Sequence, residues 1–246
     1  MAFVEYQKKG HIVTIILNRP DRLNALGKEV TDELVAACKN VDSDQEARVA
    51  IITGAGRAFC AGNDVREMHE VGGPPNPVHA AYVVAEVTKP VIAAVNGFAL
   101  GGGCWIAIAC DIRIAAKSAT FGMPEIKVAI PLGPERFLIQ QIPFCIINEM
   151  IFLGERITAQ RAYEVGLINK VVDEKDLMAE ALMTAEKIAE LSPWAIQINK
   201  KAKIRASSLS KETFDEEQHR RIIARQADDF KEAVKAFSEK RKPLFK

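Results

Sequence analysis

The chain has 246 residues, of which 48% are hydrophobic and 26% are charged, and its formal net charge is +1. This length and composition are typical of a soluble globular protein with a substantial core. The near-neutral charge argues against a general nucleic-acid binder and against a protein that binds anionic membranes.

The cysteines and the N-terminus bear on where the protein works. Five cysteines form no CxxC pair and mostly have apolar neighbours, which predicts reduced, buried thiols. The N-terminus lacks the apolar core of a signal peptide, and no apolar run is long enough to span a membrane. The four histidines show no metal-binding spacing. We therefore expect a cytoplasmic protein with no membrane segment and no metal site.

The first half of the chain alternates strand and helix patterns, and the second half is mostly helical. Strand patterns cover Phe3–Gln7, Ile12–Leu17, Val49–Thr53, Val91–Val95 and Ile112–Ala115, and helical spacing covers Lys28–Val41, Val78–Val87 and Cys104–Cys110. This alternation predicts an α/β core with parallel strand pairing. We place that core in residues 1–191. A helical C-terminal lobe in 192–246, with a long charged helix over Lys211–Lys240 that carries an apolar stripe, would serve in oligomerisation and cover an active site.

Two glycine-bearing turns each follow a buried strand and lead into a helix. Gly101, Gly102 and Gly103 precede the apolar helix that begins near Cys104. Upstream, Gly62 precedes Asn63, where a shorter helical pattern starts. The first N–H groups of a helix lack intrahelical partners and lie at the positive end of the helix dipole. Each turn therefore predicts a free backbone donor, although tight packing alone would also explain a single GGG turn.

The two donors together predict a catalytic arrangement. If the strands before them are neighbours, the N–H groups of Asn63 and Gly102 can point at one carbonyl oxygen and form an oxyanion hole. A carbonyl held in this way acidifies its α-carbon, because the enolate is stabilised. A nearby carboxylate could then move protons to and from that carbon.

Six motifs, spread over nearly the whole chain, resemble the crotonase family, which is the enoyl-CoA hydratase/isomerase superfamily. They are NRPDRLNAL (18–26), AFCAGND (58–64), PVIAAVNGFALGGGC (90–104), FGMPEI (121–126), ITAQRAYEVGLINKVV (157–172) and AFSEKRKP (236–243). Each motif alone is weak, and together they are highly specific. The resemblance implies a core of ββα turns arranged as a spiral, with a helical C-terminal lobe.

The same resemblance implies the substrate, the site and the assembly. The substrate would be an acyl-CoA thioester, its oxygen held by the N–H groups of Asn63 and Gly102, with no cofactor beyond the coenzyme A of the substrate. The substrate-binding residues would be Arg22, Leu23, Ala61, Asp64 and Val65, together with Asn63. The chain would assemble as a homotrimer or a homohexamer, and neither nucleic acid nor membrane would be a partner.

The sequence departs from the two-glutamate hydratases of this family at two places. Their glutamate after GGGC is replaced by Trp105, and the second glutamate is kept as Glu125. A side chain early in a helix points back toward the N-terminus, so Trp105 should lie beside the oxyanion site as an apolar wall with one N–H donor. We therefore expect Trp105 to bind substrate as well, with its ring against the acyl group. The loop after Glu125 resembles a branch with the pattern IPxxxE, which makes Glu135 a second candidate catalytic residue beside Glu125.

Three functions remain open at this point. The first is hydration or dehydration of a 2-enoyl-CoA with Glu125, and with Glu135 sharing the proton transfers; we favour this one. The second is isomerisation of a 3-enoyl-CoA to a 2-enoyl-CoA by Glu125 alone. The third is a non-catalytic or RNA-binding relative that uses a basic strip on a late helix: Lys200, Lys201, Lys203 and Arg205. Decarboxylase, dehalogenase and hydrolase chemistries of the family also fit the sequence.

Overall fold

The computed structural model describes residues 2–70, 77–129, 141–207, 228–239 and 241–244. The strands are β1 Val4–Lys9, β2 Ile12–Leu17, β3 Val49–Gly54, β4 Ala58–Cys60, β5 Val91–Val95, β6 Phe98–Leu100, β7 Ile112–Ala116, β8 Thr120–Gly122, β9 Arg156–Thr158 and β10 Lys170–Val172. The helices are α1 Lys28–Ser43, α2 Val65–Glu70, α3 Pro77–Glu86, α4 Gly102–Ala109, α5 Phe144–Leu153, α6 Ala159–Glu164, α7 Leu177–Ala189, α8 Pro193–Ser207 and α9 Asp228–Ser238. Short 3-10 helices cover Pro20–Arg22, Pro124–Val128 and Glu174–Asp176.

The larger sheet has six strands in the order β1-β2-β3-β5-β7-β10. Every pair in it is parallel except the β1–β2 hairpin, which turns at Gly10. The central strand β5 is buried along its whole length, as its apolar sequence predicts. The α/β core with parallel pairing is thus confirmed.

The smaller sheet has four strands in the order β4-β6-β8-β9, and three of its strands were not predicted from the sequence. β4, β6 and β9 have three residues each, which is too short for a hydrophobic period to show. β4 pairs with β6 and β6 pairs with β8, both in parallel. Consecutive strands therefore form pairs whose first member lies in the larger sheet and whose second lies in the smaller one. These pairs are β3 and β4, β5 and β6, and β7 and β8. The second half of the chain, predicted to be mostly helical, also contributes β9 to the smaller sheet and β10 to the larger one.

Both faces of the larger sheet are covered, so alternate residues of one strand enter different clusters. Val49 and Ile51 of β3 pack with Leu177, Ala181 and Ala185 of α7. Ala50 and Ile52 of the same strand join the main core together with α1, α3 and α4. All eight residues of α4 are buried, which confirms the prediction that this helix is enclosed on every side.

The start of α4 lies against the end of β4 more closely than a side chain would allow. A Cβ added to Gly103 would lie 2.1 Å from the carbonyl oxygen of Cys60. Glycine at this position lets the two backbones touch. The contact brings the turn after β6 beside the turn after β4.

The later helices attach to this core by a buried ion pair and by packing. Lys200 of α8 has a side chain only 5% exposed, and its Nζ lies 2.5 Å from Oδ2 of Asp111, which follows α4. α9 packs against the 3-10 helix Pro124–Val128. The division at residue 191 stays a prediction, and the part of the predicted helix Lys211–Lys240 before Asp228 lies outside the described residues. No helix in the described part of the chain is both long and apolar enough to cross a membrane.

Candidate active site

The first turn of the site follows β4, and in it the backbone N–H of Asn63 is left without a hydrogen bond to the adjacent segment at Leu26. Leu26 N–H donates to the carbonyl of Gly62 at 2.7 Å, and Asp64 N–H donates to the carbonyl of Leu26 at 3.0 Å. These two hydrogen bonds form a parallel bridge between Leu26 and Asn63. Backbone groups alternate in direction along an extended segment, so the N–H of Asn63 points away from Leu26. Within the described residues this N–H has no hydrogen-bond acceptor.

The second turn follows β6, the strand next to β4, and offers a donor of the same kind. Gly102 is the first residue of α4, and no side chain caps this helix. The two turns touch, because a Cβ added to Gly62 would lie 2.8 Å from the Leu100 carbonyl and 3.5 Å from the Gly102 nitrogen. The φ of Gly62 is +94°, a backbone conformation that residues with a side chain rarely adopt. The structure thus brings the two predicted donors to adjacent turns at the same edge of the smaller sheet.

Glu125 reaches these turns from the 3-10 helix after β8. Its Oε1 lies 3.4 Å from the place where a Cβ on Gly101 would stand. Its Oε2 is buried and has no hydrogen-bond partner among the described residues. Burial raises the pKa of this carboxyl to about 7, against the opposing effects of its own backbone N–H and of the Trp105 N–H. A carboxyl with such a pKa can both give and take a proton near neutral pH.

Trp105 lies behind Glu125. Its indole Nε1–H donates to Oε1 of Glu125 at 3.1 Å, and the residue is 2% exposed. The side chain therefore holds the carboxyl as an N–H donor. Trp105 is not among the described residues that line the cavity at this site, so a direct contact of its ring with an acyl group stays a prediction.

The turns and Glu125 line a cavity of about 230 Å³, and residues from the end of the chain close it. The lining residues that were not singled out as site residues share an apolar character, except for one cation: Gly62, Gly101, Pro124, Lys127, Val128, Phe230, Ala233, Val234 and Phe237. Four of them belong to α9. The apolar stripe of this helix was visible in the sequence, but its partner was not. The cavity therefore has a polar end at the turns and an apolar wall.

The loop that contains Arg22 and Leu23, predicted to bind coenzyme A, runs beside the first turn. Ala61 N–H donates to the Leu23 carbonyl at 3.0 Å, so Leu23 and Ala61 are neighbours. The Arg22 side chain is 37% exposed, and its Nε lies 3.9 Å from the carboxylate of Asp21. Buried Asn24, which sequence reasoning passed over, organises this loop by donating to the carbonyls of Ala55 and Ala58. Its place in the NRPDRLNAL motif was the signal that could have found it.

Asp64 has both carboxylate oxygens engaged within the protein. Oδ1 accepts the N–H groups of Arg66 and Glu67, which are the contacts of a helix N-cap. Oδ2 pairs with Arg19 at 2.9 Å, and the Asp64 side chain is 7% exposed. These contacts hold the Asn63 turn in place, and a direct contact of this carboxylate with substrate stays a prediction. Val65 and Ala61 line the cavity.

The two thiols beside the donors are unreactive. Burial raises the pKa of Cys60 and of Cys104 to about 12, so both stay protonated at neutral pH. Glu135 lies outside the described residues, and its catalytic role stays a prediction. In the described part of the chain, no group of three or more His, Cys, Asp or Glu side chains could hold a metal ion.

Comparisons with known proteins give three informative similarities. The chain is 38% identical over 250 residues to a short-chain-enoyl-CoA hydratase of Clostridium acetobutylicum, covering 96% of this chain and 94% of that protein. The structure of a carnitinyl-CoA hydratase from Mycobacterium avium is 33% identical with a TM-score of 0.92, covering 100% of this chain and 99% of that one. A methylmalonyl-CoA decarboxylase structure is 30% identical with a TM-score of 0.90, covering 99% and 98%.

The family is shown by a match over nearly the full length. The sequence model described as enoyl-CoA hydratase/isomerase matches residues 7–246. The solved structures share the two sheets with their helices over the whole chain. The protein is therefore a member of the enoyl-CoA hydratase/isomerase, or crotonase, superfamily and has the α/β fold of that family.

Proposed function

We propose that this crotonase-family protein is an acyl-CoA enzyme that hydrates a 2-enoyl-CoA. The single observation that carries the proposal is Glu125, a buried carboxyl with a pKa of about 7 at a cavity that also receives the Asn63 and Gly102 turns. A proton carrier and two backbone donors at one place suit addition across a double bond conjugated to a thioester. The 38% identity to a short-chain-enoyl-CoA hydratase supports the same reaction.

The thioester oxygen binds between the N–H groups of Asn63 and Gly102 in this proposal. The Glu125 carboxylate takes a proton from water while the water oxygen bonds to C3. The electron pair of the C2–C3 double bond moves onto the thioester, and the resulting enolate oxygen is stabilised by the two donors. Glu125 then returns the proton to C2. Glu135 is a candidate to share these proton transfers. Coenzyme A lies along Arg22, Leu23, Ala61, Asp64 and Val65.

Incubation of a 2-enoyl-CoA in heavy-oxygen water tests the reaction. We expect a 3-hydroxyacyl-CoA labelled at C3, detected by mass spectrometry, and no label in a reaction with Glu125→Gln. The Glu135→Gln variant is run in parallel, and a loss of label in it supports two cooperating carboxyls. A panel of 2-enoyl-CoA thioesters that all remain unlabelled at millimolar concentration contradicts the hydratase proposal.

Isomerisation of a 3-enoyl-CoA is the second candidate, and the apolar lining of the cavity favours it. Moving one proton between C4 and C2 needs a single base, and apolar walls exclude water from the enolate. Offered a 3-enoyl-CoA in the same assay, an isomerase moves the double bond without incorporating label. This outcome, unaffected by Glu135→Gln, selects the isomerase over the hydratase.

A non-catalytic, RNA-binding function receives less support from the basic strip. Lys200 is buried, and Lys203 lies 3.3 Å from Asp111, so two of the strip's lysines share one carboxylate. Lys201 is exposed. Among the lysines of the strip, Lys200 and Lys203 therefore have their charge partly neutralised by Asp111, which weakens the case for a contact with a phosphate backbone.

We also propose that the protein assembles as a homotrimer or a homohexamer. In the single chain, Phe144, Phe152 and Leu153 of α5 are 61%, 70% and 54% exposed. An apolar group of this kind on one helix is typical of a surface that binds another chain. Sedimentation velocity at micromolar concentration should show a species of three or six times 27.1 kDa. A single species of monomer mass contradicts the assembly.

A further inference from the structure

We infer that Trp105 is a positioning residue for Glu125. Its indole N–H fixes one carboxyl oxygen, Oε1, and so makes the other oxygen, Oε2, the one that carries the proton in the reaction. The inference deepens the proposed function and rests on Glu125 being the proton carrier. It gives this chain a function for the side chain that stands where the two-glutamate hydratases have a second carboxylate.

The tryptophan is the fixed partner in the contact between Trp105 and Glu125. Nε1 lies 3.1 Å from Oε1, and Trp105 is 2% exposed within a helix whose eight residues are all buried. A buried indole in a close-packed environment has no room to change rotamer. The orientation of the carboxyl is therefore determined by the packing of α4.

The same helix also carries the second oxyanion donor. Gly102 is the first residue of α4. In the same first turn, the backbone N–H of Trp105 donates to the Gly101 carbonyl at 3.0 Å. One rigid turn thus supplies a donor for the thioester oxygen and a donor for the acid–base group. The distance between the bound carbonyl and the reacting carboxyl oxygen is set by a single structural unit, which is the requirement for a productive geometry.

The chemistry of the indole determines which oxygen reacts. An indole N–H is a donor only, so Oε1 must accept and cannot present a proton to Trp105. When Glu125 is protonated, its proton therefore lies on Oε2. This oxygen is buried and has no partner among the described residues. A buried oxygen needs a hydrogen-bond partner, and in this inference a bound water or the substrate supplies it.

The hydrogen bond also affects the pKa of Glu125, because a donor stabilises the carboxylate. Burial raises the pKa to about 7, and the Trp105 N–H acts in the opposite direction. Of the other titratable groups described at the site, the Cys104 thiol stays protonated, and Lys127 of the same 3-10 helix lines the cavity. The described residues of α9 that line the cavity are apolar. Removing the indole N–H while keeping an aromatic ring should therefore raise the pKa of Glu125 further, because the side-chain hydrogen bond that lowers it is lost.

The first test is the pH profile of kcat/KM for Trp105→Phe in the hydration assay. We expect its acidic limb to move upward by about one pH unit, the size expected for a lost hydrogen bond to a charged group. We expect kcat at pH 7 to fall by about tenfold or more. Trp105→His, which restores an N–H, should recover part of the shift. An unchanged profile in an active, folded Trp105→Phe variant overturns the inference.

The second test needs no change at Trp105 and so does not depend on how its variants fold. The chain has two tryptophans, and Trp194 is 74% exposed. In a ¹⁵N-labelled protein, the Trp105 indole resonance should titrate with a midpoint near pH 7, while that of Trp194 serves as the internal control. The titration should vanish in Glu125→Gln and persist in Glu135→Gln. A Trp105 resonance that is unchanged between pH 5 and pH 9 overturns the inference.

The two tests separate failure of the inference from failure of the proposed function. If Glu125→Gln keeps full activity, Glu125 is not the proton carrier and the proposed mechanism fails. If Glu125→Gln is inactive while Trp105→Phe has the wild-type pH profile, the mechanism stands and only the positioning function is wrong.

Discussion

Glutamine in place of Glu125 is expected to lower kcat by about 100-fold or more, the scale at which a general acid–base group contributes. The amide keeps the shape of the side chain and its oxygen can still accept the Trp105 indole N–H, but the amide can neither give nor take a proton at neutral pH. Binding of an acyl-CoA should be nearly unchanged, because the oxyanion donors and the coenzyme A loop are untouched. Steady-state kinetics and calorimetry with a non-reactive thioester measure the two effects separately.

The same substitution is expected to stabilise the protein above pH 7. The unfolded carboxyl loses its proton near pH 4.5, whereas the native one keeps it until about pH 7. Between these values the native state binds more protons, so wild-type stability falls as the pH rises. At about 1.4 kcal/mol per pKa unit, the loss amounts to about 3 kcal/mol. Glutamine does not titrate, so Glu125→Gln should unfold at higher denaturant concentration than wild type at pH 8.

Glu86→Gln is the matched control for both measurements. Glu86 is exposed at the end of α3, so its replacement should leave kcat and its pH dependence unchanged and alter the free energy of unfolding by less than about 0.5 kcal/mol. A Glu125→Gln variant that retains more than a tenth of wild-type kcat would show that another group carries the proton.

Alanine in place of Asp111 is expected to cost about 3 to 5 kcal/mol of unfolding free energy. The Asp111 carboxylate accepts from Lys200 at 2.5 Å and from the Val91 backbone N–H at 2.9 Å. Lys200 is buried and also donates to the Lys89 carbonyl, so it cannot easily turn to solvent once its counter-ion is gone. Chemical denaturation at fixed protein concentration measures the loss.

Two further variants decide whether the buried charge is the cause. Removing both partners in Asp111→Ala/Lys200→Met should recover much of the stability lost in the single variant, because no unpaired charge remains buried. Lys201→Met, on the same helix and exposed, should be nearly neutral. A loss below 1 kcal/mol in Asp111→Ala contradicts a stabilising function for the pair.

Local pattern predicted the long elements and missed contacts between distant segments. β5 and α4 were predictable because their apolar runs are long and end at turns. β4 and β6 were not, although they determine that Asn63 and Gly102 lie on adjacent turns. Trp105 was expected beside the oxyanion site from helix geometry, yet its partner, 20 positions away, depends on the second sheet.

The pairing of Lys200 shows the same limit. On the sequence it belongs to a charged helix face, and the interpretation as a solvated strip is reasonable. Its partner lies 89 positions earlier in the chain, in a segment that packing brings to α8. No periodic pattern carries information about a contact over such a separation.

The cavity takes its lining from the first glycine turn, at residues 61–65, and from Phe230 to Phe237, which lie far apart along the chain. A polypeptide is made from its N-terminus, so both glycine turns and Glu125 exist well before α9 leaves the ribosome. A nascent or C-terminally shortened chain therefore holds the acid–base group without the apolar wall that α9 supplies. The cavity seen in the structure is therefore enclosed only after the segment that forms α9 has been synthesised.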